Sequence, residues 1–212
     1  MRLTKFATFL LFTAPCFATA FQITVDASSL PPATSGFIDF TLNGGFTATA
    51  VISNFSDPGG SLNAPSIFLE DAAGALPGTV TLGSVNNDYD EGIIYGTPIS
   101  FLLTFSETPG GTTGDVFNLS LFDTAFDGLL TQDVTDGEIV QFQLDTQGNI
   151  TPDALPNPSG GRSFATITAV PEPATLFFAA ASLVVLFFLR GVQNRYSPRS
   201  NPIKNDRSGS TQ

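Results

Sequence analysis

The side chains in this chain that could do chemistry are almost all carboxylates and amides. The densest run is Asn86-Asn87-Asp88-Tyr89-Asp90-Glu91-Gly92. Asn86, Asp88 and Asp90 place hard oxygen donors at alternate positions, the ligand type that suits Ca2+. The glycine does not fall where a helix–loop–helix calcium loop needs its sharp turn. The run therefore reads as a solvated polar loop or, in the chemical alternative, as an irregular Ca2+ site. Asp123, Asp127, Asp133, Asp136 and Glu138 form a second acidic region with the same donor chemistry. No other cofactor is expected.

Several chemistries lack their residues. The chain has no histidine, and its one cysteine, Cys16, lies near the N-terminus. Ser-His-Asp and Cys-His catalysis need an imidazole, and nearly all zinc sites need histidine or cysteine. There is no phosphate-binding P-loop and no dinucleotide fingerprint. The glycine pairs 44–45, 59–60 and 110–111 read as turns. A glycosidase needs two carboxylates at a set separation. The chain has enough acids for a chance pair, so their number is not a signal, and the expectation is a protein that is not an enzyme. Glycan sites usually expose aromatic rings. There is no tryptophan, and most of the 21 phenylalanines are expected in the core.

Charge divides sharply along the chain. Between residues 21 and 173 there are 18 carboxylates against one base, Arg162, a net charge of −17. Arg2 and Lys5 precede this stretch, and Arg190, Arg195, Arg199, Lys204 and Arg207 follow it. So acidic a segment should repel nucleic acid and anionic headgroups, and no nucleic-acid partner is expected.

The elements that must hold these acids read as strands. Apolar and polar residues alternate at 21–26, 38–42, 48–52, 99–105, 117–121 and 140–144, with shorter candidates at 80–82 and 163–168. Turn signals separate them, among them Asn43-Gly44-Gly45, Asp57-Pro58-Gly59-Gly60 and Gln147-Gly148-Asn149. Asn43-Gly44 is a hairpin signal. Residues 151–161, rich in Pro and Gly, read as a loop, and Ala169-Val170 as the start of a tether. No long amphipathic helix interrupts residues 21–168. Eight or nine one-faced strands must close into two layers, so the expected fold is all-β, an antiparallel β-sandwich or a jelly-roll-like variant of one.

The two ends read as targeting devices. Arg2 and Lys5, an apolar run at 6–12 and the small-residue triplet Ala18-Thr19-Ala20 fit a secretion signal cleaved after Ala20. At the other end Val170-Pro171-Glu172-Pro173 leads into sixteen uncharged residues, 174–189, and then Arg190. As a helix these would span roughly 24 Å, short of a roughly 30 Å hydrocarbon core but usable with snorkelling by Arg190. Pro173 suits the first turn of that helix. The basic residues beyond place the tail in the cytoplasm and the acidic domain outside.

Pro171-Glu172-Pro173, an apolar helix and a following base together resemble the PEP-CTERM sorting signal of exported proteins in Gram-negative bacteria. The resemblance implies a membrane-embedded exosortase as partner, acting at Pro171, Glu172 and Pro173, with the helix and Arg190 as the anchor. The basic residues here are more dispersed, and the tail longer, than that signal usually has. The domain also resembles small secreted PEP-CTERM proteins in Val25-Asp26-Ala27-Ser28-Ser29-Leu30, Gly36-Phe37-Ile38-Asp39-Phe40, Ala50-Val51-Ile52-Ser53-Asn54-Phe55, Leu76-Pro77-Gly78-Thr79-Val80-Thr81-Leu82 and Phe117-Asn118-Leu119-Ser120-Leu121-Phe122-Asp123. That second likeness bears on fold and carries no activity.

The expected plan is a signal peptide (1–20), an acidic β domain (21–168), the motif and transmembrane helix (169–190) and a basic cytoplasmic tail (191–212). The expected role is an exported, surface-sorted, non-catalytic component of an exopolysaccharide-associated envelope or biofilm matrix, with extracellular polysaccharide as a partner. The alternatives are a Ca2+-dependent binding or adhesion module and a carboxylate-based polysaccharide hydrolase.

Overall fold

The computed structural model describes residues 19–45, 48–69, 71–83, 87–107 and 113–171. Ala18, Asn86, Glu172, Pro173, Arg190, the apolar C-terminal segment and the basic tail lie outside the described residues. Among the described residues there is no helix.

Twelve strands form among the described residues: β1 (Thr19–Val25), β2 (Ser35–Asn43), β3 (Ala48–Ser56), β4 (Ser61–Leu69), β5 (Ala73–Gly74), β6 (Val80–Leu82), β7 (Asn87–Ile94), β8 (Ile99–Glu107), β9 (Asp115–Asp123), β10 (Glu138–Leu144), β11 (Ile150–Ala154) and β12 (Ala165–Val170). They make two antiparallel sheets of six, in the orders β12-β1-β8-β3-β6-β5 and β11-β10-β9-β2-β7-β4. The first eight strands nest. β1 pairs with β8, β2 with β7 and β3 with β6. This is the pairing of one long hairpin curled over on itself. β9, β10 and β11 extend the second sheet beyond β2, and β12 extends the first beyond β1.

Alternation gives β1, β2, β3, β8, β9 and β10 one apolar face each, and the apolar faces of the two sheets meet. Phe21 of β1 packs on Phe142 of β10 with ring centroids 4.8 Å apart. Phe40 of β2 meets Phe101 of β8 edge-on at 5.2 Å, and Phe105 of β8 meets Phe117 of β9 edge-on at 5.7 Å. Each of these contacts crosses from one sheet to the other. The rings are buried with Ile23, Ile38, Leu42, Ile52, Leu82 and Ile93 in one core cluster. Edge-on and offset pairs add to the area term that dominates this core.

Four local expectations are corrected. Asn43-Gly44 does not close a hairpin, because β2 and β3 belong to different sheets. The chain crosses between layers here, and Gly44 takes φ 151° where a Cβ would run into the backbone of residues 114–115. Asp115, buried, secures the crossover by accepting the N–H groups of Gly45 and, at 3.1 Å, Ala48. Within the segment read as a loop from residue 151, β11 forms and pairs with β10. Ala169 and Val170, read as tether, are the end of β12, where Val170 pairs with Ala20. The run at 86–92 is not a loop, since from Asn87 onward it is strand β7.

Candidate functional site

The second sheet has an outer face as well as a core face, and its chemistry is written by the alternate residues of each strand. In β7 the inward residues are Asn87, Tyr89, Glu91 and Ile93, all buried. Two of these polar groups satisfy one another: Tyr89 donates its hydroxyl to Glu91 Oε2 at 2.6 Å and accepts the Leu76 N–H at 3.0 Å. Asp88 and Asp90 alternate with them and face outward. Their register partners on β2 are Thr41 and Asp39. Asp39 lies opposite Asp90 and diagonal to Asp88, within cross-strand reach.

Asp39, Asp88 and Asp90 therefore gather three carboxylates, each able to place an oxygen within 4.8 Å of the others. Asp39 Oδ1 and Asp88 Oδ1 are buried and meet no hydrogen-bond donor. Both are acceptors when ionised, so a bond between them requires a proton on one. Burial above all, then the approach and charge of Asp88 and the charges of Asp90 and Glu138, pushes Asp39 up to about 9. Burial and the charge of Asp88 push Asp90 up to about 6. Three acids in one patch cannot all ionise cheaply. A shared proton or a divalent cation relieves the repulsion, and the donor set is the hard-oxygen type that Ca2+ takes.

Sequence reading placed the oxygen donors at Asn86, Asp88 and Asp90. The structure brings Asp88 and Asp90 together, while Asn86 lies outside the described residues. The member that sequence reading missed is Asp39. It is 49 positions upstream of Asp88, and only the β2–β7 register brings it near. The available signal was Ile38-Asp39-Phe40, an acid flanked by core residues in a strand, the reverse of the acid–core–acid order in Asp88-Tyr89-Asp90.

The second acidic region is used differently. Asp123 Oδ1 accepts the N–H groups of Ala125 and Asp127 at 2.7 and 3.0 Å. Asp133 Oδ1 accepts those of Thr135 and Asp136, both at 3.0 Å. These aspartates shape the connection from β9 to β10, in the manner of Asx turns. Glu138 opens β10, its carboxyl raised by burial and by Asp136 and Asp133 nearby.

The aromatic residues divide as well. Phe37 and Phe122, register partners on β2 and β9, lie outside the core cluster on the same outer face. Phe126 stacks on Phe37 with centroids 4.6 Å apart and planes 9° from parallel, and stays 53% exposed. Below them, Tyr95 donates its hydroxyl to the backbone carbonyls of Phe37 and Phe122, the latter at 2.8 Å. Burial raises this phenol far above its ordinary range, so it stays a donor and ties β2 to β9 beneath the rings.

Of the positions expected to serve sorting and cleavage, Ala20 and Pro171 are described. Ala20 is in β1, paired with Thr104 of β8 as well as with Val170. Pro171 follows β12 directly and is exposed. No protein-family model, curated protein or solved structure matches the chain.

Proposed function

We propose that this chain is an exported, surface-sorted protein whose β domain acts without catalysis in an exopolysaccharide-associated envelope or biofilm matrix. The observation that carries the reading is the arrangement of charge and hydropathy. A stretch of net charge −17, residues 21–173, lies between two apolar segments, each flanked by positive residues. The resemblance of Pro171-Glu172-Pro173, the apolar run and Arg190 to a PEP-CTERM signal supports exosortase handling. β12 ends at Val170, so the motif begins where the last strand stops. The nested pairing of β1 to β8 supports a jelly-roll variant of the sandwich.

The test has two parts. A periplasm-active reporter fused after Pro171 should be active, and a cytosolic, inactive fusion sinks the reading. Mass spectrometry of the native C-terminus should find an end near residues 171–173 if sorting removes the anchor. Retained residues 190–212 would make it a permanent membrane protein instead.

A second reading is favoured by the two buried carboxylate oxygens of Asp39 and Asp88 that no donor reaches. In it the domain is a Ca2+-dependent module, with Asp39, Asp88 and Asp90 as ligands. Millimolar Ca2+ should then raise the melting temperature of the wild type and leave an Asp88→Asn variant unmoved.

A further inference from the structure

The outer face of the second sheet is organised in rows that run across its strands. One row carries Phe37 and Phe122, with Phe126 stacked over Phe37. The next carries Asp90, Asp39, Ser120 and Glu138. The third carries Asp88, Thr41, Asn118, Gln141 and Asp153. Two residues of strand separate successive rows, roughly 7 Å. Rings, carboxylates and amides thus lie within about 14 Å on one face, with Ser120 and the Oδ1 atoms of Asp39 and Asp88 buried among them.

The amides are aligned by one another. Gln141 Nε2 donates to Asn118 Oδ1 at 3.3 Å, and Gln143 Nε2 to Gln141 Oε1 at 3.1 Å. By the inventory of amide groups, Asn118 keeps its own NH2 and Gln143 its carbonyl for another partner.

Phe126 is held in place at a cost. Its φ is 63°, in the left-handed region that non-glycine residues avoid. Asp123 fixes it there: its carbonyl accepts the Phe126 N–H at 3.1 Å, and its own N–H reaches the Asp127 carbonyl at 2.9 Å. Gly137, at φ 64°, passes so close to the Phe122 ring that a Cβ would collide with it. The result is a rigid ring with one face on Phe37 and the other open. An exposed phenylalanine in a strained backbone does little for stability. Held in place beforehand, it has little left to lose in ordering when a partner arrives.

Position adds a further argument. The chain leaves the sheets at Pro171, beside Ala20 and the crossover at residues 43–48. Phe37 and Phe122 lie at the opposite end of β2 and β9. Tethered at Pro171, the domain carries its ring row at the end away from the tether.

We propose that this face binds a neutral polysaccharide. The open face of Phe126 stacks on the C–H face of a sugar ring, while Asn118, Gln141 and Asp153 bond hydroxyls further along the chain. Charge selects the partner: at net −16 with one arginine, the domain repels uronates and sulfated polymers. The proposal rests on the surface reading above for the class of partner.

The full chain, purified in detergent, is run on native gels containing dextran, galactomannan, mixed-linkage β-glucan or, as the anionic control, alginate. At least one neutral polymer should retard it and alginate should not. Phe126→Ala should raise the polymer concentration needed for retardation about tenfold, in line with one lost ring contact. The double variant Asn118→Ala/Gln141→Ala should raise it about threefold, and it decides the matter if Phe126→Ala fails to fold by far-UV circular dichroism. No retardation by any neutral polymer overturns the proposal. So does a folded Phe126→Ala or an amide double variant that is retarded like the wild type, or self-association through Phe126 with no polymer bound. The gel reads binding and the reporter fusion reads export, so either reading can fail alone.

Discussion

Replacing Asp39 by asparagine tests the electrostatics of the outer face most directly. Asp39 is pushed up to about 9 in the folded protein by burial and by its acidic neighbours, against about 4 when unfolded. Between those values the folded state holds a proton that the unfolded state has released. Stability must therefore fall as pH rises, by about 1.4 kcal/mol per unit. Over the whole window the loss reaches about 7 kcal/mol, of which about 4 kcal/mol is already incurred at pH 7. A domain of ordinary stability, about 5–15 kcal/mol, feels such a term strongly. Asp90, half-buried and screened by solvent, adds a shallow slope between about pH 4 and 6. In Asp39→Asn the new side chain carries no charge, and its amide could donate to the orphaned Asp88 Oδ1. Urea unfolding followed by far-UV circular dichroism from pH 5 to 9 reads the effect. The wild type should weaken steadily with rising pH. The variant should be nearly flat above pH 6 and more stable than the wild type at pH 8 by several kcal/mol. Ca2+ at pH 8 should steepen nothing in the variant and flatten the wild-type curve, if the ion takes the place of the proton. Parallel pH curves for the two proteins would refute the reasoning, because Asp39 would then ionise as freely folded as unfolded.

Three other substitutions follow from the fold. Tyr95→Phe removes the hydroxyl that serves the Phe37 and Phe122 carbonyls, and should cost about 1–2 kcal/mol in urea unfolding while leaving the overall β spectrum unchanged. Asp115→Ala strands the N–H groups of Gly45 and Ala48 at the crossover, and should cost about 2–4 kcal/mol, with early loss of amide protection at residue 48 seen by hydrogen exchange. Phe105→Ala empties a site that touches Phe21, Phe117 and Phe142, and should cost about 3–5 kcal/mol, measured by thermal or urea unfolding.

Period-two alternation exposed β1, β2, β3, β8, β9 and β10, because each has a core face of uniformly apolar residues. β7 escaped it for a physical reason. Its buried side carries Asn87, Tyr89 and Glu91 and its outer side carries Asp88 and Asp90, so hydropathy hardly alternates although geometry does. β4 contains Pro65 and a register shift between Asn63 and Ile67, which break the pattern. β11 contains Pro152, and only its pairing along the edge beside β10 makes it a strand. Asn43-Gly44 carries a sound local signal for a turn. Which sheet the next strand joins depends on β8 and β6, far along the chain, and no neighbouring residue encodes it. The same limit hid Asp39. Its type and flanks were visible, but its partnership with Asp88 and Asp90 is a property of the register between β2 and β7.

The pairing of Ala20 with Val170 brings the two limits of the β domain side by side on one edge. A short Gly-Ser bridge could join them, and the chain could be reopened at the exposed turn of residues 145–149 without disturbing the buried rings. Such a circular permutant would keep its ends on the side of the sandwich away from Phe126, because Leu144 pairs with Asp115 beside the crossover, and would move them from the edge of the first sheet to the edge of the second. The fold would be the same, and only the sheet from which the chain departs would change.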